Sequence, residues 1–251
     1  MKNPIMTKTV ALASLLSGLM MTQTVQALPL ADIDLKAYYW QTQYSGEISQ
    51  NDQTATFDDL GLDKENTNSL SLTLRHAVPL VPNVKLQQTT LDTTSNGTIS
   101  QTFEFEGVEF AASEDVTTNL DLSHFDITAF YSFLYFDVGL TGRNFDTVST
   151  ISGTSGTGQV TLNGWIPLLY LGVNADLPFT GVYIDSSLNA ISFEGNGLQD
   201  FSVAVGYNLG DLFPLTAELG YRSMNLQLDD IDSLAGDFAI DGWFLSLGLA
   251  L

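Results

Sequence analysis

The sequence predicts an all-β chain, an antiparallel up-and-down transmembrane β-barrel of about ten strands, with eight or twelve as the neighbouring even counts. Three observations carry that expectation. Two-residue alternation of apolar and polar side chains recurs along the chain, with no sustained 3.6-residue period. Short and long connections alternate, as in barrels with tight turns on one side of a membrane and longer loops on the other. The polar face of the alternating segments carries Ser, Thr, Gly and Asn with few ions, whereas a soluble barrel needs a charged outer face.

The first segment reads as a secretory leader. Lys2 and Lys8 are followed by the apolar run Val10–Met21 and by Val25-Gln26-Ala27, a small-residue cleavage pattern. The run is shorter than the ~20 apolar residues a membrane-spanning helix needs. The expected domains are therefore a signal peptide over 1–27, cleaved after Ala27, and a barrel domain over 28–251.

Ten strands are expected at 32–44, 67–76, 83–93, 119–133, 135–146, 160–177, 181–193, 199–209, 214–228 and 237–251. Tight turns fall at 77–82, 134, 178–180 and 210–213. Longer loops fall at 45–66, 94–118, 147–159 and 229–236, with a shorter one at 194–198. Within 94–118, FEFEGVEF has the pattern of a hairpin standing above the membrane. Ser152–Gly158 (SGTSGTG) reads as a flexible tip and lacks the Lys-Ser/Thr pair of a phosphate loop.

Leu72, Val138, Val203 and Leu219 belong to the apolar face, which should meet lipid. Aromatic residues near strand ends (Tyr38, Tyr39, Trp40, Tyr44, Tyr131, Phe133, Tyr135, Phe136, Phe179, Tyr207, Phe213 and Trp243) should supply interfacial girdles. The last strand is apolar at every second position from Trp243 to Leu251, which resembles the C-terminal signal read by the barrel-assembly machinery, with Leu251 in place of the usual terminal aromatic.

Charge narrows the function classes. The formal net charge is −21, and loss of the leader lysines leaves Lys36, Lys64, Lys85, Arg75, Arg143 and Arg222 against 29 acidic residues. Nucleic acid and docking on anionic lipid through a basic patch are excluded by that balance. There is no cysteine, so thiol catalysis, thiolate metal sites and disulfides are excluded as well. All six cations except Lys64 lie in expected strands. Arg75, Arg143, Arg222, Asp137, Asp176 and Glu218 sit opposite the apolar side of theirs, so a luminal ion network is expected, joined by His124 and Asp126. A buried charge is costly unless paired. Glycines at 139, 172, 206, 220 and 248 share this face and should make room for large side chains. A plug of salt bridges fits such a lumen better than an open pore.

No catalytic residues are expected. Ser123, His124 and Asp126 are the one constellation of nucleophile, base and carboxylate. His124 and Asp126 are two apart on one strand face, which puts them ~6–7 Å apart and beyond direct bonding, while Ser123 points to the other face. His76 reads as interfacial. Asp58, Asp59 and Asp63 in the first loop, with Asp229, Asp230 and Asp232 around the last, form a candidate weak site for a divalent cation such as Ca²⁺, without the glycine and glutamate spacing of an EF-hand. The alternative is a solvated acidic rim, or carboxylates linked to anionic lipopolysaccharide through divalent ions. No cofactor is expected.

Taken together, YYWQTQYSG at 38–46, DDLGLDKENTNSLSL at 58–72, HAVPLVPNVKLQ at 76–87, LDLSHFDIT at 120–128, DLPFTG at 176–181 and AELGYRSMNLQLDD at 217–230 resemble a proteobacterial family of outer-membrane β-barrel proteins of unassigned activity. The resemblance implies a fold, an export route and a location in the outer membrane of a Gram-negative cell envelope, and it brings no active-site residues. The functions open at this point are a structural or passively permeable porin-like barrel, a narrow channel for small or apolar solutes, a membrane-embedded hydrolase, and a soluble lipocalin-like binder.

Overall fold

The computed structural model describes residues 31–209, 214–231 and 234–251. The leader expected over 1–27 lies outside them. Ten long strands close into one antiparallel barrel: β1 (Ala31–Gln50), β3 (Lys64–His76), β4 (Asn83–Thr89), β9 (His124–Phe133), β10 (Phe136–Gly153), β11 (Gly156–Asp176), β12 (Val182–Phe193), β13 (Asn196–Asn208), β14 (Leu215–Ile231) and β15 (Leu234–Ala250). Each pairs with its neighbours in this order, and β15 returns to β1 through a register running from Asp34↔Ala250 to Gln50↔Leu234. Closure pairs every wall strand on both sides through the body of the membrane band, which lipid requires because it offers no partner to a bare peptide group. Five short strands lie outside the closed ring: β2 (Gln53–Thr56), paired with β1, β5 (Asp92–Thr98), β6 (Phe103–Phe105), β7 (Val108–Phe110), and β8 (Asp115–Asp121), paired with β10. FEFEGVEF is the β6–β7 hairpin, turned at Glu106-Gly107, both with positive φ, as a two-residue I′ turn demands.

The wall is inside-out relative to a soluble protein. Leu72, Val138, Val203 and Leu219 are 39%, 43%, 38% and 54% exposed, on the outer face. Their strand neighbours Ser71, Asp137 and Ala204 are buried in the lumen. The apolar outer band covers about seven residues of a strand such as β14 or β15, roughly 20 Å of chain. Tyr39, Trp165, Phe201, Tyr221 and Trp243 stand at its upper limit, and the next outward residues are Gln41, Asn163, Gln199, Ser223 and Asp241. Tyr131, Phe133, Tyr135, Phe136, Phe179 and Tyr207 mark the lower limit, all exposed. These are the two girdles of a membrane barrel. Of the aromatics expected from the first strand only Tyr39 joins them. Tyr38, Trp40 and Tyr44 have the opposite parity and turn inward, the last two fully buried. Phe213 lies outside the described residues.

Above the upper girdle the strands continue, and the polarity of their faces inverts. On β10, β11, β14 and β15 the outward residues become Asp146, Gln159, Thr161, Asn163, Asn225 and Asp237. The inward ones become Ile151, Val160, Leu162, Leu226 and Phe238. Water has replaced lipid outside, so the apolar residues now belong inside. They pack with Phe57, Leu60, Leu62, Leu91, Ile99, Phe103, Phe105 and Phe110 from the first two outer excursions into one hydrophobic core above the lumen. The expected loops at 147–159 and 229–236 are therefore mostly strand. The third and fourth strands are shorter than expected. β4 ends at Thr89, and 119–121 belongs to β8, which pairs with β5 and with the tip of β10.

Leu219→Arg, at mid-band, should cost ~2–4 kcal/mol in reversible unfolding from lipid vesicles. Gln199→Arg, above the girdle, should change stability by less than ~0.5 kcal/mol. Equal costs would contradict the outward orientation.

Candidate functional site

Among the described residues most buried charged side chains are collected in the barrel interior, and the strands position them by parity. On β10, Asp137, Thr141 and Arg143 face inward. Directly across on β9 stand Ser132, Thr128 and Asp126. Arg143 is 0% exposed. It donates from Nε to Asp126 Oδ1 (2.8 Å) and from Nη2 to Asp126 Oδ2 (2.7 Å) and Asp200 Oδ2 (2.6 Å). Arg222 closes the other side of the same carboxylate, with Nε 2.8 Å from Asp200 Oδ1 and Nη2 2.7 Å from Oδ2. Its guanidinium lies 4.7 Å from the centre of the Trp40 ring. Asp126, Arg143, Asp200 and Arg222 thus form a girder across the lumen between β9–β10 and β13–β14.

A second layer lies toward the N-terminal end of β1. Lys36 Nζ is 2.5 Å from Glu218 Oε1, with Asp34 at 3.5 Å and Asp185 at 4.0 Å. The Tyr183 and Ser246 hydroxyls donate to the two oxygens of Glu218, at 2.8 and 2.5 Å. Arg75 donates to Asp137 at 3.0 Å, and Ser132 donates to the other oxygen at 2.6 Å. Five cations, with Lys85, face six carboxylates: Asp34, Asp126, Asp137, Asp185, Asp200 and Glu218. Bidentate geometry and several donors per carboxylate are what lets charges tolerate removal from water.

Glycine makes the fit possible. A Cβ on Gly206 would lie 2.1 Å from the Tyr183 ring, and one on Gly220 would lie 2.3 Å from Phe244. Between the layers lie cavities of about 20 and 40 Å³, both bordered by Lys85. Each has room for individual water molecules and none for a solute.

The structure brings together seven of the eight residues expected in the lumen, distributed over these layers: Arg75, Arg143, Arg222, Asp137, Glu218, His124 and Asp126. Asp176 is the correction. It shares the inward parity of β11 but sits at the end of that strand, exposed and without an ion pair among the described residues. Lys36, Asp185 and Asp200 were not in the expected set. For Asp200 the signal was present, because the parity of Ser202 and Ala204 carried two residues upstream points it inward.

His124 is fully buried. Its Nδ1 lies 2.8 Å from the Leu122 carbonyl, and its Nε2 has no protein partner. Both Asp126 oxygens are taken by Arg143, and the Ser123 hydroxyl accepts the Leu91 amide at 2.9 Å. These three side chains therefore do not act on one another. His76 instead ties the β3–β4 turn, with Nδ1 accepting from Val78 N at 3.2 Å and Nε2 3.1 Å from the Pro82 carbonyl.

Among the described residues the expected cation ligands do not converge. Asp59 accepts from the Thr56 amide and hydroxyl at 2.9 and 2.8 Å, and Asp63 accepts from Gln43. The amide of Asp229 is bonded to Asn196, and its carboxylate would touch a Cβ on Gly195, so it belongs to the β12–β13 turn. Asp58 is exposed, Asp232 lies outside the described residues, and the side chain of Asp230 is not described. Among the described residues no three acidic or histidine side chains converge as a metal site would need. The reason is topological, since Asp229 faces β13 while the first loop leans over β1 and β5.

Outside the membrane Glu114 holds a structural position. Glu114 gathers the Ser155 hydroxyl (2.7 Å) and amide (2.8 Å), the Ala111 amide (3.0 Å) and the Thr154 hydroxyl (3.0 Å), fastening the β10–β11 tip to the cap. The segment expected as a flexible tip is thereby pinned. Donation from Ser155 above all, then from Ala111 and Thr154, draws the Glu114 carboxyl from 4.5 down to about 2.

Geometry thus defines the class: a closed transmembrane β-barrel with an ion-filled lumen and an apolar cap. Neither a protein-family model nor a curated protein matches the sequence. Among solved structures it is similar to a FadL homologue of Pseudomonas aeruginosa, 10% identical, covering 88% of this chain and 90% of that one, with a TM-score of 0.35. It is similar also to the translocator domain of the autotransporter NalP from Neisseria meningitidis (7% identical, 96% and 94% covered, TM-score 0.35). The CymD monoaromatic hydrocarbon channel is a third (10% identical, 90% and 70% covered, TM-score 0.33). With superpositions this loose, nothing is transferred from those proteins to this chain.

Two outcomes are expected. Asp200→Ala leaves Arg222 without its carboxylate and Arg143 with one of its two, and should cost ~3–5 kcal/mol in vesicle unfolding. Because the Glu114 carboxyl is depressed on folding, its stabilising effect is complete above about 4.5 and is lost as pH falls through about 2. The Ser155 amide resonance should titrate with a midpoint near 2, and Glu114→Gln should remove that step. A midpoint near 4.5 would show that the clamp does not form.

Proposed function

We propose that this chain is a sealed, non-catalytic outer-membrane β-barrel of a Gram-negative cell envelope, of the proteobacterial kind its sequence stretches resemble, with an envelope role exercised through its acidic outer face. One observation carries the reading. The Asp126–Arg143–Asp200–Arg222 ion pairs cross the lumen, the cavities beside them measure about 20 and 40 Å³, and a hydrophobic core lies above. A solute path would have to break the Arg143–Asp200–Arg222 girder, which exposes uncompensated charge. Outer-leaflet lipid meets the apolar band, and the alternating apolar β15 suits recognition by the barrel-assembly machinery.

The test is single-channel recording in planar bilayers with the full chain, insertion being verified by heat-modifiable migration of the recovered protein. The expected record shows inserted barrel and no unitary steps. Reproducible steps would overturn the sealed reading in favour of passive permeability or a narrow channel. Fractionation that recovered the folded protein outside the outer membrane would overturn the location.

A further inference from the structure

The barrel wall above the membrane is uneven, and the low point lies between β11 and β14. Pairing of β11 with β12 ends at Leu169↔Ala190. The β12–β13 hairpin turns at Glu194-Gly195, with φ 49° and 84°. β11 continues alone on that side to Gly156, and β14 continues beyond its last β13 partner at Gln227 to Ile231. Residues 157–168 of β11 thus form a strand edge with no backbone partner on the β12 side among the described residues.

Such edges are normally blunted by charge, by proline or by a covering segment. This one carries Pro167 at its lower end, at the level of the girdle, and no charged residue from 156 through 175. Behind the edge the inner face is apolar and incompletely covered. Val160, Leu162 and Ile166 are only partly buried, and on the hairpin below Ile191 and Phe193 are 37% and 69% exposed despite their inward parity. Glu194 and Asp229 stand at the base of the gap.

We propose that this notch is a docking site for a cationic, extended peptide segment of a partner protein, added as a strand to the free edge of β11. The bare edge supplies main-chain hydrogen bonds, the inner face accepts every second apolar side chain, and the carboxylates take basic residues at the rim. Charge decides among occupants. A second copy of a chain with net charge −21 would be repelled, and so would an anionic lipid headgroup. Lys64 is the only Lys or Arg outside the lumen among the described residues, so little offsets the acidic field at the rim.

The probe is a twelve-residue peptide alternating Val and Lys, added to the full chain in nanodiscs of zwitterionic lipid and followed by hydrogen exchange and calorimetry. The expected result is slowed exchange across 157–168 and an affinity that falls about tenfold in Phe193→Ser and again in Glu194→Gln/Asp229→Asn. Unchanged heat-modifiable migration of these variants would show that the barrel itself is intact. Protection elsewhere or nowhere overturns the proposal. So does equal binding of a Ser/Lys peptide, which would mean charge alone, or of a Val/Glu peptide. Contact of a spin-labelled acyl chain with Phe193 that the peptide fails to displace would make the occupant a lipid, and would overturn it too.

Discussion

A β-strand fixes the parity of its side chains, while the medium outside the wall changes along its length. That constraint organises this molecule. From the lower girdle to Tyr39, Trp165 and Trp243 the outside is lipid, and outward residues such as Leu140, Leu219 and Leu247 are apolar. Beyond those aromatics the outside is water, and the same strands turn Asn163, Asn225 and Asp237 outward and Leu162, Leu226 and Phe238 inward. One continuous sheet therefore encloses two opposite interiors, a charged one at membrane depth and an apolar one above it.

The two interiors depend on each other. The ionic layers need shielding from competing water to hold their geometry, and the apolar cap provides it on the outer side. The cap in turn needs a rigid rim, and the Asp126–Arg143–Asp200–Arg222 girder ties β9–β10 to β13–β14 just beneath it. Trp40 belongs to both parts, with Arg222 against its ring and the hydrophobic core packed around it. Glu114 fastens the β10–β11 hairpin to the cap from above.

The wall is least complete where the cap is thinnest. The β12–β13 hairpin stops at Glu194-Gly195, so the apolar inner face of β11 and β14 is screened there by little of the chain itself. A sealed axial path and an open lateral edge are compatible, because the first is set by luminal packing and the second by the heights of neighbouring hairpins.

The sequence by itself determined the barrel class, the outward face of Leu72, Val138, Val203 and Leu219, and the inward placement of Arg75, Arg143 and Arg222, and it pointed to about ten strands with eight or twelve still open. All of these follow from two-residue periodicity, which is local. It left the cap unread, because above the girdle the alternation persists with its meaning reversed, and only a knowledge of membrane level says which face is inside. It also misplaced Tyr38, Trp40 and Tyr44, since an aromatic near a strand end fits a girdle or a core equally well until its parity is anchored. The partnership of Asp200 with two arginines, the exclusion of Asp176 and the scattering of the acidic loops were decided by tertiary structure alone. Contacts across a lumen depend on how ten strands are staggered around a ring, and no single strand records that stagger.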